Sequence, residues 1–192
     1  MERKLILASS SPRRQQLLNQ IGLDFTVEPS NLNEDFNRDL DFGPFASEIA
    51  FKKSAAVAKR HKEGLVLGAD TIVVCNRKIL GKPATPLEAK EMLSMLSGRW
   101  HQVFTGLSLV DVSTGSFLKD FEESWVKFKD IDSNEIENYI KTGEPMDKAG
   151  AYGIQERGAL FVEKISGDYY NIVGLPLFKL NLMLLNFNIR IL

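Results

Sequence analysis

Residues 9–18, SSSPRRQQLL, set three hydroxyls, a proline and two guanidinium groups at the expected mouth of a helix. A helix N-terminus presents unpaired backbone N–H groups and the positive end of its dipole, so hydroxyls and arginines added there favour a phosphate. Arginine meets phosphate bidentately, which makes Arg13 or Arg14 the gripping arm, with Ser9 among the hydroxyls beside it. The plain alternative is a serine cap at Ser11 and two solvated arginines. The stretch is not a P-loop, because the glycines and the lysine of that motif are absent.

Asp70 is the only charged residue in the apolar run Leu65 to Cys75. A carboxylate there is costly unless a cation faces it. The partners open to it are a divalent ion, Arg13 or Arg14, Lys53, or Lys82 in the GKP turn, and a structural ion pair competes with a catalytic role. The segment MDKAGAYGIQ places Asp147 and Lys148 among glycines, a pattern that lets backbone approach a ligand and equally serves an ordinary turn. Glu34 and Asp35, in a polar stretch, offer hard oxygen ligands to a cation. His61 and His101 have no partners at zinc-ligand spacing and read as structural or exposed.

These groups need elements to hold them. KLILA reads as a short buried strand feeding the serine turn and a helix ended by Gly22, and DFTVEP as a second strand. A long amphipathic helix is expected from about Phe45 to His61, and a strand kinked at Gly68 over LVLGADTIVVCN. Capping boxes mark two further helices, at Thr85/Glu88 and at Asp132/Glu135. HQVFTGLSLVDV and FEESWVKFKDI read as a hairpin turning at STG; ALFVEKISGDYYNIV reads as a second hairpin turning at 166–168, before a C-terminal helix opened by Pro176. Strands alternate with helices without repeats or a linker, which predicts an α/β domain over residues 1–192 with a mixed, twisted sheet, flanking helices and a cleft between two lobes.

Composition narrows the classes of function. The chain has 192 residues, 44% of them apolar, enough for a core, and 24 basic against 25 acidic residues give a net charge of −1. Nothing in that balance suits coating nucleic acid or a membrane surface, so an anion must be bound locally. The single cysteine, Cys75, excludes an internal disulfide and suits a reducing, cytoplasmic setting. The apolar tail Leu175 to Phe187 is interrupted by Lys179 and Asn181 and is too short to span a bilayer.

LASSSPRRQQLL, LGADTIV, GKP, EMLSMLSGRWHQVFTG, DKAGAYGIQ and VGLPL occur in the order and spacing of the Maf family, and the chain resembles that family over nearly its whole length. The resemblance implies a nucleoside triphosphate pyrophosphatase with a fold related to the Ham1-type enzymes. DKAGAYGIQ is similar to the branch acting on dTTP and UTP. By the family motifs, Asp70 matches the proton acceptor, and Arg13, Thr71 and Gln155 match positions tied to substrate choice. Lys53, Lys82 and Glu34 match charged groups that line the family's cleft, with a divalent cation, Mg²⁺ or Mn²⁺, as cofactor and Glu34 and Asp70 toward it. Glu156 and Arg157 stand where the family pattern expects a glycine after Gln155, which implies a base pocket that is narrower or differently charged. A homodimer is among the assemblies implied, with the hairpin edge around Val103 to Val110 as a pairing surface. The rival functions are a non-catalytic nucleotide-binding regulator of cell division and a house-cleaning enzyme for non-natural nucleotides.

Overall fold

Short buried runs form strands and amphipathic runs form helices along most of the chain. The computed structural model describes residues 4–30, 32 and 41–192. In chain order the elements are β1 (Leu5–Leu7), α1 (Pro12–Gln20), β2 (Phe25–Val27), α2 (Phe42–Ala58), β3 (Leu65–Cys75), β4 (Lys78–Leu80), α3 (Pro86–Leu96), β5 (Trp100–Asp111), β6 (Phe117–Phe128) and α4 (Ser133–Lys141). Short 3₁₀ turns follow at Glu144–Asp147, Ala149–Ala151 and Arg157–Phe161, then β7 (Val162–Ser166), α5 (Tyr169–Val173) and α6 (Leu177–Leu185). Strand order in the seven-stranded sheet is β2-β1-β3-β5-β6-β7, with β4 pairing β3 off that path. β1 lies parallel to β2 and β3, while β4 and β7 lie antiparallel to β3 and β6, so the fold is α/β with a mixed sheet.

The chain divides into two compact units. One comprises Met1–Asp70, Thr105–Glu122 and Gly174–Leu192; the other comprises Thr71–Phe104 and Glu123–Val173. In the first, Ile6, Ala8, Val57 and Val66 pack together where α2 covers β1 and β3. A Cβ on Gly68 would run into the Ala50 carbonyl and Ser54, and one on Gly106 would run into Ala46 and Ser47. The missing side chains thus let α2 lie against the strands, and a buried Ser54–Ser108 hydroxyl pair at 3.0 Å joins the two layers. In the second unit α3, α4 and the 3₁₀ turns enclose a core that includes Val73, Leu93, Phe128, Tyr139, Tyr152 and Phe161.

Both expected helix starts are capped, but only one as a full capping box: Asp132 and Glu135 satisfy each other's backbone reciprocally, whereas Thr85 Oγ1 accepts the Glu88 N–H and the Glu88 carboxylate returns to the Ala84 N–H, one residue before the cap. Several expectations are corrected. β3 runs unbroken through Gly68, which serves close packing and not a kink. The expected second hairpin has only its first arm: residues 169–173 are helical, because Asp168 Oδ1 accepts the Tyr170 N–H at 2.7 Å and Asn171 is buried, donating to the Val103 carbonyl and Ser124 Oγ. β4 was not foreseen, since it turns on Asn76 and Arg77, both at positive φ (51° and 61°), without the glycine that signals such a turn. The stretch Val103 to Val110 is not a sheet edge: β5 is flanked by β3 and β6. Among the described residues no helix is long and apolar enough to cross a membrane.

Candidate functional site

In the first unit, β1 and β3 run parallel with Leu7 opposite Leu67, and the Ala8 N–H reaches the Leu67 carbonyl. In that register Ser9–Ser11 follow the carboxyl end of β1, the end at which open α/β sheets bind ligands, and Asp70 lies at mid-strand in β3, just past its parallel pairing with β1. Ser11 is the N-cap residue of α1, yet its side chain makes no capping bond; Pro12, with no N–H to satisfy, occupies the first turn instead. The buried Ser9 hydroxyl is the organiser. It accepts the Ser11 N–H at 3.3 Å and Arg14 Nη1 at 3.0 Å, and Arg14 Nε donates to the Gly174 carbonyl at 2.8 Å. Arg14 is therefore a strut that fixes the helix mouth. Arg13 lies beside it on α1 and is half-buried.

Asp70 faces Lys53. Nζ and Oδ1 are 2.5 Å apart, and the two side chains are 13% and 12% exposed. α2 carries Lys53 to that place because Ala50, about one turn before it, and Ser54, next to it, sit on Gly68. Of the cations left open by the sequence, the lysine on the long helix is a direct partner. Glu34 and Asp35 lie outside the described residues. Among the described residues no group of three or more His, Cys, Asp or Glu side chains converges to cage a metal. Among the described residues Asp70 is the carboxylate at this place, which fits a hard cation held by one or two carboxylates and substrate phosphates.

In the second unit the GKP turn and the glycine-rich loop meet: the Gly150 N–H donates to the Gly81 carbonyl at 3.0 Å, next to exposed Lys82. Gly150 and Ala151 both adopt positive φ (69° and 61°), and Ala151 is fully buried. An alanine held there stores about 1–3 kcal/mol of backbone strain, the kind that concentrates at ligand sites. Thr71, the residue after Asp70, is half-buried on β3. Lys148 is not a solvated lysine. Its ammonium, 6% exposed, donates to Asp147 Oδ1 at 2.8 Å and to the Glu144 carbonyl at 2.9 Å, and lies 3.5 Å from Glu156 Oε1. Asp147 is exposed at its outer side, and Gln155 is exposed on the following loop.

His101 belongs to the core. It is 1% exposed, Nε2 lies 2.8 Å from the Tyr152 hydroxyl, and burial pushes its pKa down to about 3, so the ring is neutral. His61 pairs with Glu28 at 2.7 Å. Neither is placed for catalysis among the described residues. Sequence reasoning missed Glu144, Tyr139 and the Gly174 carbonyl. The first two are joined by a 2.6 Å hydrogen bond. No spacing rule marks a glutamate between a glycine and a proline as a loop anchor, and a backbone carbonyl carries no side-chain signal at all.

Comparison with known proteins gives the same direction. The chain is 46% identical over 189 residues to a protein named dTTP/UTP pyrophosphatase from Desulforamulus reducens, covering 98% of this chain and 99% of that one. It is 50% identical over 186 residues to a protein of the same name from Caldicellulosiruptor saccharolyticus, covering 95% and 94%. Among solved structures it is similar to the Ham1 protein of Staphylococcus aureus, at 16% identity and a TM-score of 0.44 over 66% of this chain and 72% of that one, a likeness too slight to carry weight. A family model described as Maf-like protein matches residues 4–187, so the SSSPRR mouth, the Lys53–Asp70 pair and the DKAGAYGIQ loop all fall inside one continuous match, and the chain belongs to the Maf family.

Proposed function

We propose that this protein hydrolyses nucleoside triphosphates to the monophosphate and pyrophosphate, with dTTP and UTP preferred. The observation that carries the reading is the Lys53–Asp70 pair, set at mid-strand in β3 just past its parallel pairing with the strand that feeds the mouth of α1. The relatives matched over nearly their whole length, dTTP/UTP pyrophosphatases by name, support the same activity.

The unit bearing α1 and α2 supplies the phosphate chemistry. Backbone N–H groups at the α1 mouth and the guanidinium of Arg13 take phosphate oxygens, and the Lys53 ammonium neutralises charge that builds on the α-phosphoryl group. Asp70 accepts a proton from the attacking water; the new bond forms between that oxygen and the α-phosphorus, and the bond to the bridging oxygen breaks, releasing pyrophosphate. General-base action of this kind contributes about 10²- to 10⁴-fold, with charge neutralisation carrying the larger part. A divalent cation delivered with the nucleotide would be held by Asp70 and, on the family pattern, Glu34, and when bound it neutralises phosphate oxygens. For selection, the Gln155 amide offers both a donor and an acceptor to a pyrimidine edge, Thr71 and Asp147 stand with it among the residues assigned to substrate choice, and Lys82 adds positive charge.

A panel of dTTP, UTP, dCTP, GTP and ATP, assayed for pyrophosphate with Mg²⁺ or Mn²⁺, tests the reading. Release should be fastest with dTTP and UTP. Tight dTTP binding with no pyrophosphate released would identify a nucleotide sensor, and near-equal hydrolysis of all five would remove the pyrimidine preference.

A further inference from the structure

The loop that carries Gln155 is closed at its base by groups that no catalytic role uses. Glu144 Oε1 accepts the Tyr139 hydroxyl at 2.6 Å and the Gly158 N–H at 3.1 Å, and Glu144 Oε2 accepts the Arg157 N–H at 3.2 Å. The Tyr139 oxygen in turn accepts the Gly153 N–H at 3.2 Å. Both ends of the segment Gly153–Gly158 are therefore gathered onto one phenol–carboxylate pair. The two ends pass so closely that a Cβ on Gly158 would stand 2.7 Å from the Gly153 carbonyl oxygen and 2.8 Å from the Tyr139 hydroxyl. Lys148 completes the base: its ammonium binds the Glu144 carbonyl, and its methylenes lie where a Cβ on Gly153 would fall. Burial and then the Glu144 carboxylate push the Tyr139 phenol above its ordinary range, so it remains a donor. Ile154, Gln155 and Glu156 are what this closure leaves at the crest, with Gln155 and Glu156 exposed.

We propose that Glu144 is a positioning residue for base selection: its carboxylate, with the Tyr139 hydroxyl, closes the Gly153–Gly158 loop and so fixes the direction in which Gln155 presents its amide. The role assigned to Gln155 rests on the pyrimidine triphosphatase reading above; the closure of the loop does not. A carboxylate accepting several N–H and O–H groups is hard to replace, because an amide of the same size turns one acceptor into a donor that faces other donors.

The test uses Glu144→Gln in the full chain, with two readouts. Amide hydrogen exchange at Gly153, Arg157 and Gly158 should quicken by about tenfold, the equivalent of one lost hydrogen bond to a charged group. The ratio of kcat/KM for dTTP over GTP should fall by about tenfold while kcat on dTTP stays within about threefold. With Gln155→Ala already present, adding Glu144→Gln should change that ratio by less than about twofold, because a residue acting through Gln155 has nothing left to position. Unchanged exchange, or a fall in the ratio that is the same with and without Gln155, overturns the proposal. Should Glu144→Gln fail to fold, Tyr139→Phe removes one bridging hydroxyl, keeps the ring packing on Phe161, and is read in the same way. A wild-type protein that cleaves no triphosphate defeats the hydrolase reading alone, and amide exchange then decides whether Glu144 closes the loop.

Discussion

Replacing Asp70 by asparagine keeps the shape of the side chain and removes its charge. The Lys53 and Asp70 side chains are 13% and 12% exposed, so each charge has lost most of its water and the ion pair offsets part of that loss. Removing one member of a fully buried pair costs about 3–5 kcal/mol, and the residual exposure here lowers the expectation to about 2–3 kcal/mol. For a chain of this length that is a fall in melting temperature of about 5–10 °C. Lys53→Met should cost a similar amount. The double variant should cost clearly less than the two single losses combined, because it leaves no stranded charge. Turnover on dTTP follows a separate arm: Asp70→Asn should lower kcat by about 10²- to 10⁴-fold. A titration with Mg²⁺ then distinguishes the roles, since loss of a ligand weakens the apparent metal affinity and loss of a base lowers turnover at saturating metal. Full turnover of Asp70→Asn at saturating metal would refute both roles, and strictly additive melting losses would refute the pairing argument.

Arg13→Ala should raise KM for dTTP or lower kcat by at least about tenfold, as loss of a phosphate contact requires, whereas Arg14→Ala should chiefly lower stability by releasing Ser9 and the Gly174 carbonyl. Steady-state kinetics and melting curves on the two variants check this, and an Arg13→Ala enzyme with unchanged kcat and KM makes the helix mouth a mere cap. His101, buried and neutral with a pKa pushed down to about 3 against about 6.5 in the unfolded chain, contributes stability that is complete above pH 6.5 and lost as pH falls toward 3. The slope is about 1.4 kcal/mol per pH unit in that window, and urea unfolding of His101→Phe should show an acid limb shallower by about one proton. Gly68→Ala forces α2 off β3 at Ala50 and Ser54, so it should cost about 1–3 kcal/mol in a melt and lower dTTP turnover together with it, because Lys53 travels with the helix.

What could be read in advance was local. The capping box at Asp132/Glu135, the Thr85 cap before Pro86, and the lone carboxylate in β3 each depend on neighbours within a few residues, and these stand in the structure. The failures had tertiary causes. Tyr169–Val173 has strand-forming residues, yet the Asp168 cap and the buried Asn171 side chain impose a helix. The Asn76–Arg77 turn adopts positive φ without glycine because β3 and β4 pair on either side of it. The partner of Asp70 was undecided among several cations, since only the packing of α2 on Gly68 selects Lys53. Ser11 has the identity of a cap and lacks its bond, a distinction that depends on where Ser9 and Arg14 point.

Ala46, Ala50 and Ser54 recur every four residues along α2 and meet Gly106 and Gly68 on the strands. A hydropathy profile scores this ridge as weak, yet the reach of Lys53 to Asp70 is set by it. Every replacement of a glycine adds atoms, so drift at Gly68 or Gly106 moves in one direction only, toward a wider gap between helix and sheet. The helix face can exchange alanine for serine freely and little else. Inheritance of the active geometry is thus guarded by positions that touch no substrate and carry no charge, and a lineage that enlarged them would lose the Lys53–Asp70 contact while both residues were still present.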